Sequence, residues 1–278
     1  MELHTKSNLW LLGSGALLFV LGALTVQVTL LLNQTVTPNP PTESAVKNEA
    51  TKTDVAQTTA TGTTISESVV TEQEWLPELA TDSVVVDLPT PNVVSEVSLE
   101  TALNNRRSNR AYAATPIELT ELGQMLWAAV GINDTKTGKR TVPSRGEAYP
   151  VTVYVGVERV NSLPNGLYRY LAESHQLELV RAGNQSMVWS ELTGQTHPQN
   201  AAAVLLLAAD MERGEEFYNS TLQESGHVGQ NLYLQASALN LHMLVMGGFD
   251  RKLTNQYVDA KDTAELVYMV PVGNPATE

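Results

Sequence analysis

The chain reads as an α+β domain behind an N-terminal extension, and three observations carry that reading. "VTVYVGV" at 151–157 alternates with the period of a strand, and "NGLYRYL" and "QLELV" follow as a hairpin pair after a Pro-Asn-Gly approach. "AAAVLLLAAD" at 201–210 is a continuous apolar run of buried-strand length, and a long helical pattern, "GHVGQNLYLQASALNLHML", comes after it. Helices and strands do not alternate strictly as βαβ units, which separates α+β from α/β.

Residues 1–8 form a short tail. Residues 9–32, "LWLLGSGALLFVLGALTVQVTLLL", carry no charge, and about 20 apolar residues span a bilayer core. A secretory signal core is shorter, roughly 7–15 residues, and no small-x-small cleavage site follows. The segment reads as a retained single-pass transmembrane helix. Lys6 precedes it and the next positive charge is Lys47, so the positive-inside bias places the soluble domain on the extracytoplasmic side of the membrane. Residues 33–95 are rich in Thr, Ser, Val and Pro with no sustained period, the composition of a disordered linker. Within them "EWLPELATDSVVVDLP" is less polar and reads as an arm against the domain.

The folded domain is expected over 96–278, an ordinary domain size. Ser98 is placed to cap a short helix carrying Leu99, Ala102 and Leu103. Thr120 is placed to cap the next one, in which Leu122, Met125, Leu126, Ala129 and Val130 recur on one face before Gly131 stops it. "TVPSRGEAYP" is a loop with Pro143 and Pro150 stiffening it. The long helix has a small face at Gly229, Ala236 and Ala238. "VMGGFD" is a glycine turn, and "AELVYMVPVGNP" a closing strand.

Composition narrows the chemistry. With 17 Lys+Arg against 30 Asp+Glu, net charge -13, the chain lacks the basic face that nucleic acid requires. There is no cysteine, which removes disulfides, thiolate metal sites and Cys nucleophiles. The five histidines show no metal-ligand spacing, so no metal is expected. No nucleophile elbow, P-loop or strand-borne G-x-G-x-x-G is present.

Three strings remain. Arg106, Arg107 and Arg110, with Ser108 between them, suit an anion, because guanidinium forks match phosphate oxygens bidentately. They equally suit a solvated helix end paired with glutamates. Pro143, Ser144 and Gly146 form a loop that could lay peptide groups against a flat ligand, or simply connect two elements. Gly247 and Gly248 expose backbone N–H groups, or cap a helix and turn.

Taken in order, "RRSxR", "PSxGxxYP", "GHxGQNLYLxAxALxL", "GGFD" and "PVGxP" resemble the nitroreductase-like flavoproteins, and among them the SagB-type dehydrogenases. The resemblance implies a central, mostly antiparallel sheet flanked by helices, a homodimer, and FMN bound non-covalently at its interface. It implies phosphate and ring contacts from Arg106, Arg107, Ser108 and Arg110. It places Pro143, Ser144 and Gly146 along the flavin, Gly247 and Gly248 at its N5 side, and Asn274 near the phosphate, where the family often has a basic residue. The implied activity is a membrane-anchored FMN-dependent oxidoreductase transferring hydride to or from a small organic or peptide substrate, with either NAD(P)H or the substrate itself as the electron donor. No catalytic residue is assigned. A Lys-Tyr pair found in azole-forming members is replaced by Glu212 and Arg213, and Arg145 and Glu147 add two charges to the loop. The two charges are compatible with a kept flavin and a different substrate, whereas Asn274 and the missing Lys-Tyr pair favour an alternative, a non-catalytic binding or scaffold module on the same fold.

Overall fold

Valine- and leucine-rich runs build the centre of the molecule. A computed structural model describes residues 77–211, 215–258 and 264–276. Its main sheet has seven strands: β1 (Val85–Asp87), β4 (Val151–Val157), β5 (Gly166–Leu171), β6 (Gln176–Ala182), β7 (Ala203–Asp210), β8 (His242–Met243) and β9 (Ala264–Gly273). They lie in the order β1-β6-β5-β4-β7-β9-β8, and every neighbouring pair is antiparallel. A separate hairpin joins β2 (Ile132–Asp134) to β3 (Lys139–Arg140).

Five helices complete the fold: α1 (Leu99–Asn105), α2 (Leu119–Val130), α3 (Ser186–Thr193), α4 (Glu215–Ala238) and α5 (Arg251–Tyr257). The sheet is buried on both faces, which is why β7 reads as an unbroken apolar run. Ala203, Leu205 and Leu207 enter one core with Leu122 and Leu126 of α2 and Val228 and Leu232 of α4. Val204, Leu206 and Ala208 enter the other with Trp189 and Leu192 of α3 and Tyr257 of α5. Gly156 makes the second core possible: a Cβ there would lie 2.1 Å from the Trp189 ring.

Three boundaries differ from the sequence reading. The sheet begins before residue 96, because Val85 pairs with Glu178, the Ala80 N–H donates to Val180 O at 2.8 Å, and Leu88 is buried. Part of the 33–95 segment is therefore an edge strand of the domain. The cap of α2 is Glu118, not Thr120, through a reciprocal capping box with Glu121. The long helix stops at Ala238: Asn240 takes a left-handed φ of 54°, the Leu241 N–H closes on Ala236 O, and His242 and Met243 leave as β8. No helix among the described residues is long and apolar enough to cross a membrane. The tail at 1–8, the uncharged span at 9–32 and the first part of the linker lie outside the described residues.

The second core holds a polar chain. The Tyr257 hydroxyl donates to Gln185 Oε1 at 2.5 Å, and the Gln185 N–H donates to Glu158 Oε1 at 2.7 Å. Burial pushes the Glu158 carboxyl up from 4.5 to about 7, against the pull of the Gln185 N–H and Arg159. A raised acid keeps its proton in the folded state after the unfolded chain has lost it. Stability from this group is therefore full below about pH 4.5 and falls as pH rises to about 7. Glu158→Gln should remove that slope and raise stability at pH 8 by an amount on the order of 2 kcal/mol. Thermal melting of both proteins from pH 5 to 8 checks it; parallel curves would refute the assignment.

Candidate functional site

The residues singled out from the sequence fall into two groups, set against different stretches of α4. The first group follows α1. Backbone bonds lace the arginine segment to the β8 edge: the Asn109 N–H donates to Met243 O at 2.8 Å, and Tyr112 bridges Pro275. Tyr233 of α4 organises this group. Its hydroxyl lies 2.8 Å from Ser108 Oγ and accepts the Val245 N–H at 3.0 Å, and the Arg106 guanidinium stacks 5.0 Å from its ring centroid. Tyr233 thus ties the arginine segment to the strand that runs into Gly247 and Gly248.

The three guanidiniums do not converge within one chain. Arg106 covers Tyr233. Arg107 turns back and donates from Nη1 to Asn104 O and Arg106 O, both at 2.8 Å, so it closes its own helix end. Arg110 lies where its charge is felt by Tyr112 and His197, opposing the rise that burial gives the one and adding to the fall that burial gives the other. Among the described residues none of the three forms a carboxylate ion pair, whereas Lys139, Arg140, Arg169 and Arg251 do. In a chain with 30 acidic residues to 17 basic, Arg106 and Arg110 stand without a carboxylate partner among the described residues.

Gly247 and Gly248 are exposed, without positive φ, and a Cβ at either would meet nothing closer than Val267 O at 3.9 Å. Nothing among the described residues requires glycine there. Asn274 is otherwise engaged. Its Nδ2 donates to Thr115 Oγ1 at 3.1 Å and Pro116 O at 2.8 Å, and its backbone carbonyl accepts from Ala113. It clamps the loop before α2 and has no amide hydrogen left for a phosphate.

The second group is the loop before β4. Ser144 Oγ accepts the Tyr149 N–H at 2.8 Å. Gly146, Glu147 and Tyr149 all take left-handed φ values of 62°, 55° and 45°, and such strain in non-glycine residues concentrates at functional loops. Arg145 stacks 4.6 Å over Phe217, and Glu147 pairs with Lys139 at 3.4 Å, so both added charges have partners inside the chain. Beneath Ser144 lies Glu224, 4% exposed, with Oε1 lacking a hydrogen-bond partner. Burial pushes its carboxyl up, and Ser144 and Arg140 pull it back. Glu224 and Tyr233 are more than two turns apart on α4, about 14 Å at 1.5 Å per residue. Glu212 and Arg213 lie outside the described residues.

Tyr233 and Glu224 were missed in the sequence. Both stand in or beside the helix string that carried the resemblance, yet a tyrosine or glutamate on an amphipathic helix gives no periodic signal of its own.

An α+β domain with an antiparallel sheet between helices, a tyrosine-anchored arginine segment and an open glycine turn defines a class, and the comparisons agree with it. The sequence model of the nitroreductase family matches residues 103–274. A candidate nitroreductase of Methanocaldococcus jannaschii is 35% identical over 201 residues, covering 69% of this chain and 97% of that protein. The crystal structure of a candidate nitroreductase from Ralstonia eutropha is 28% identical with a TM-score of 0.62, over 73% of this chain and 95% of its own. The E. coli microcin synthetase McbBCD complex shares the fold at 19% identity and a TM-score of 0.54, over 68% of this chain and 77% of that one. The chain belongs to the nitroreductase family and is an oxidoreductase of that family.

Proposed function

We propose that this protein is an FMN-dependent oxidoreductase whose site forms between two copies of the chain. The observation that carries the reading is the division of site residues along α4. The arginine segment and glycine turn lie by Tyr233, and the Ser144 loop lies by Glu224, more than two turns away on that helix. A twofold dimer exchanges such halves, because the patch each subunit offers is the same.

The donor set fits the cofactor. Arg106 and Arg110 supply cations without internal carboxylate partners, Ser108 supplies a hydroxyl held by Tyr233, and Gly247 and Gly248 leave space and backbone N–H groups for a planar ring. When bound, FMN supplies hydride transfer; the chain supplies binding, orientation and electrostatics. The Gly247–Gly248 backbone would offer its N–H groups to the ring. Glu224, buried and with its carboxyl pushed up by that burial, lies under the Ser144 loop.

On this reading NAD(P)H is the electron donor, and the substrate is a small organic molecule or a peptide in the manner of the SagB-type branch. The uncharged 9–32 segment anchors the protein as a single pass, with the domain outside the cytoplasm. The second reading, a binding or scaffold module without turnover, is favoured by Asn274, whose amide is fully engaged by Thr115 and Pro116. Addition of NADPH or NADH to the purified full-length protein separates the two. Bleaching of flavin absorbance and its return in air support the enzyme; bound flavin that neither nucleotide nor dithionite-free substrate mixtures reduce supports the module.

A further inference from the structure

The geometry points to Arg181 as a positioning residue: it ties the N-terminal arm at 77–80 to α5, and through α5 to the Gly247–Gly248 turn. This inference rests on the flavin reading only in what the turn is for; the linkage itself is a property of the chain.

Arg181 stands near the end of β6 and is 8% exposed. Its guanidinium reaches three main-chain carbonyls in two distant segments. Nε donates to Tyr257 O at 2.7 Å and Nη2 to Gln256 O at 3.2 Å, both in the last turn of α5. Nη1 donates to Pro77 O at 2.6 Å in the arm. A cation on the final carbonyls of a helix satisfies acceptors that have no partner within the helix and opposes the negative end of its dipole. The guanidinium also lies 5.8 Å from the Tyr257 ring centroid, and that ring packs edge-on against Trp189 at 5.6 Å.

The other end of α5 is held as firmly. Asp250 caps it, accepting from the Leu253 N–H at 2.9 Å, and the Asp250 N–H donates to Leu192 O at 2.7 Å. Asp250 stands two residues beyond Gly248, with Phe249 packed against the second core between them. A rigid seven-residue helix is therefore pinned at one end by the arm through Arg181, and its opposite end leads directly into the turn. The arm in turn is fixed to β6 by the Ala80 bond to Val180 O and the Leu79–Arg181 bridge.

The test uses the full chain. Ala80→Pro removes the N–H bonded to Val180 O at an edge far from the cofactor residues. Arg181→Met removes the three donors, and Arg181→Lys keeps the charge. Hydrogen exchange is measured first on flavin-free protein. Exchange over residues 246–257 should rise about tenfold in both Ala80→Pro and Arg181→Met, and by less in Arg181→Lys, while β4, β7 and β9 stay protected. FMN dissociation constants should then rise about tenfold in Ala80→Pro, with a shifted absorbance maximum for the flavin that remains bound. Faster exchange confined to 77–87 in Ala80→Pro, with 246–257 unchanged, overturns the linkage even if Arg181→Met fails to fold. Coupled exchange in a protein that binds no FMN keeps the linkage and overturns the flavin reading instead.

Discussion

Arg106→Ala/Arg110→Ala in the full-length protein should bind FMN about a hundredfold more weakly than the parent, with a flavin-free melting temperature lowered by no more than a few degrees. Each guanidinium that meets a phosphate oxygen contributes about 1.5–3 kcal/mol, so losing two amounts to at least about 3 kcal/mol, or more than two factors of ten. Stability should hold because neither side chain forms a carboxylate pair among the described residues. The Arg106 contact with Tyr233 is a partly exposed stack, which contributes about 0.5–1 kcal/mol. Arg107→Ala is the internal control. Its guanidinium is engaged with Asn104 O and Arg106 O, so its loss should loosen the end of α1 and leave FMN affinity within a few fold. Equilibrium dialysis with FMN on the three proteins checks the ordering. Equal losses in the double variant and in Arg107→Ala would mean that the arginines act together through charge rather than through placement.

Complementation between two defective chains should recover flavin binding. Gly146→Val places a β-branched residue at φ 62°, a region such residues avoid, and so distorts the Ser144 loop. The Arg106→Ala/Arg110→Ala chain keeps that loop intact. Alone, neither protein should hold FMN. Co-expressed in equal amounts, half of the dimers are mixed, and each mixed dimer carries one site built from the intact arginine segment of one chain and the intact loop of the other. Flavin content should therefore recover to about a quarter of the parent value. A site contained within one chain predicts no recovery, so with both variants shown to fold the experiment decides between an intrachain and an interchain site.

These two experiments also mark where the sequence was informative. The strands β4 to β7 and β9 were legible because their apolar periods are strong and their edges carry turn residues. The edge strand β1 was not, since "DSVVVD" at 82–87 is short and follows a polar tract; pairing with β6 gives it structure that its composition does not. The α5 helix was hidden for a related reason. "RKLTNQY" has little helical patterning of its own, and Asp250 and Arg181 stabilise its ends from outside.

In the site, clustered arginines were visible as a string, but their directions were not. Adjacent residues such as Arg106 and Arg107 leave a helix end on opposite sides, and only the fold tells which one finds Tyr233 and which one folds back. Asn274 illustrates the same limit. A polar residue after a closing strand suits a phosphate contact on paper, yet the loop at Thr115 and Pro116 takes both its amide hydrogens. The Gly247–Gly248 turn was read from sequence as either a ligand surface or a helix end. The structure ends the helix earlier, at Ala238, and leaves the turn open on its outer side.

Whether two chains together hold two flavins is the most direct question to put to this protein. Full-length protein purified with added FMN and freed of excess can be measured for flavin absorbance against protein concentration while its mass is read in solution. The account predicts a dimer of the folded domain carrying one FMN per chain. A monomer with a full complement of flavin would contradict the divided site, and a protein that takes up no FMN at any concentration would contradict the cofactor itself.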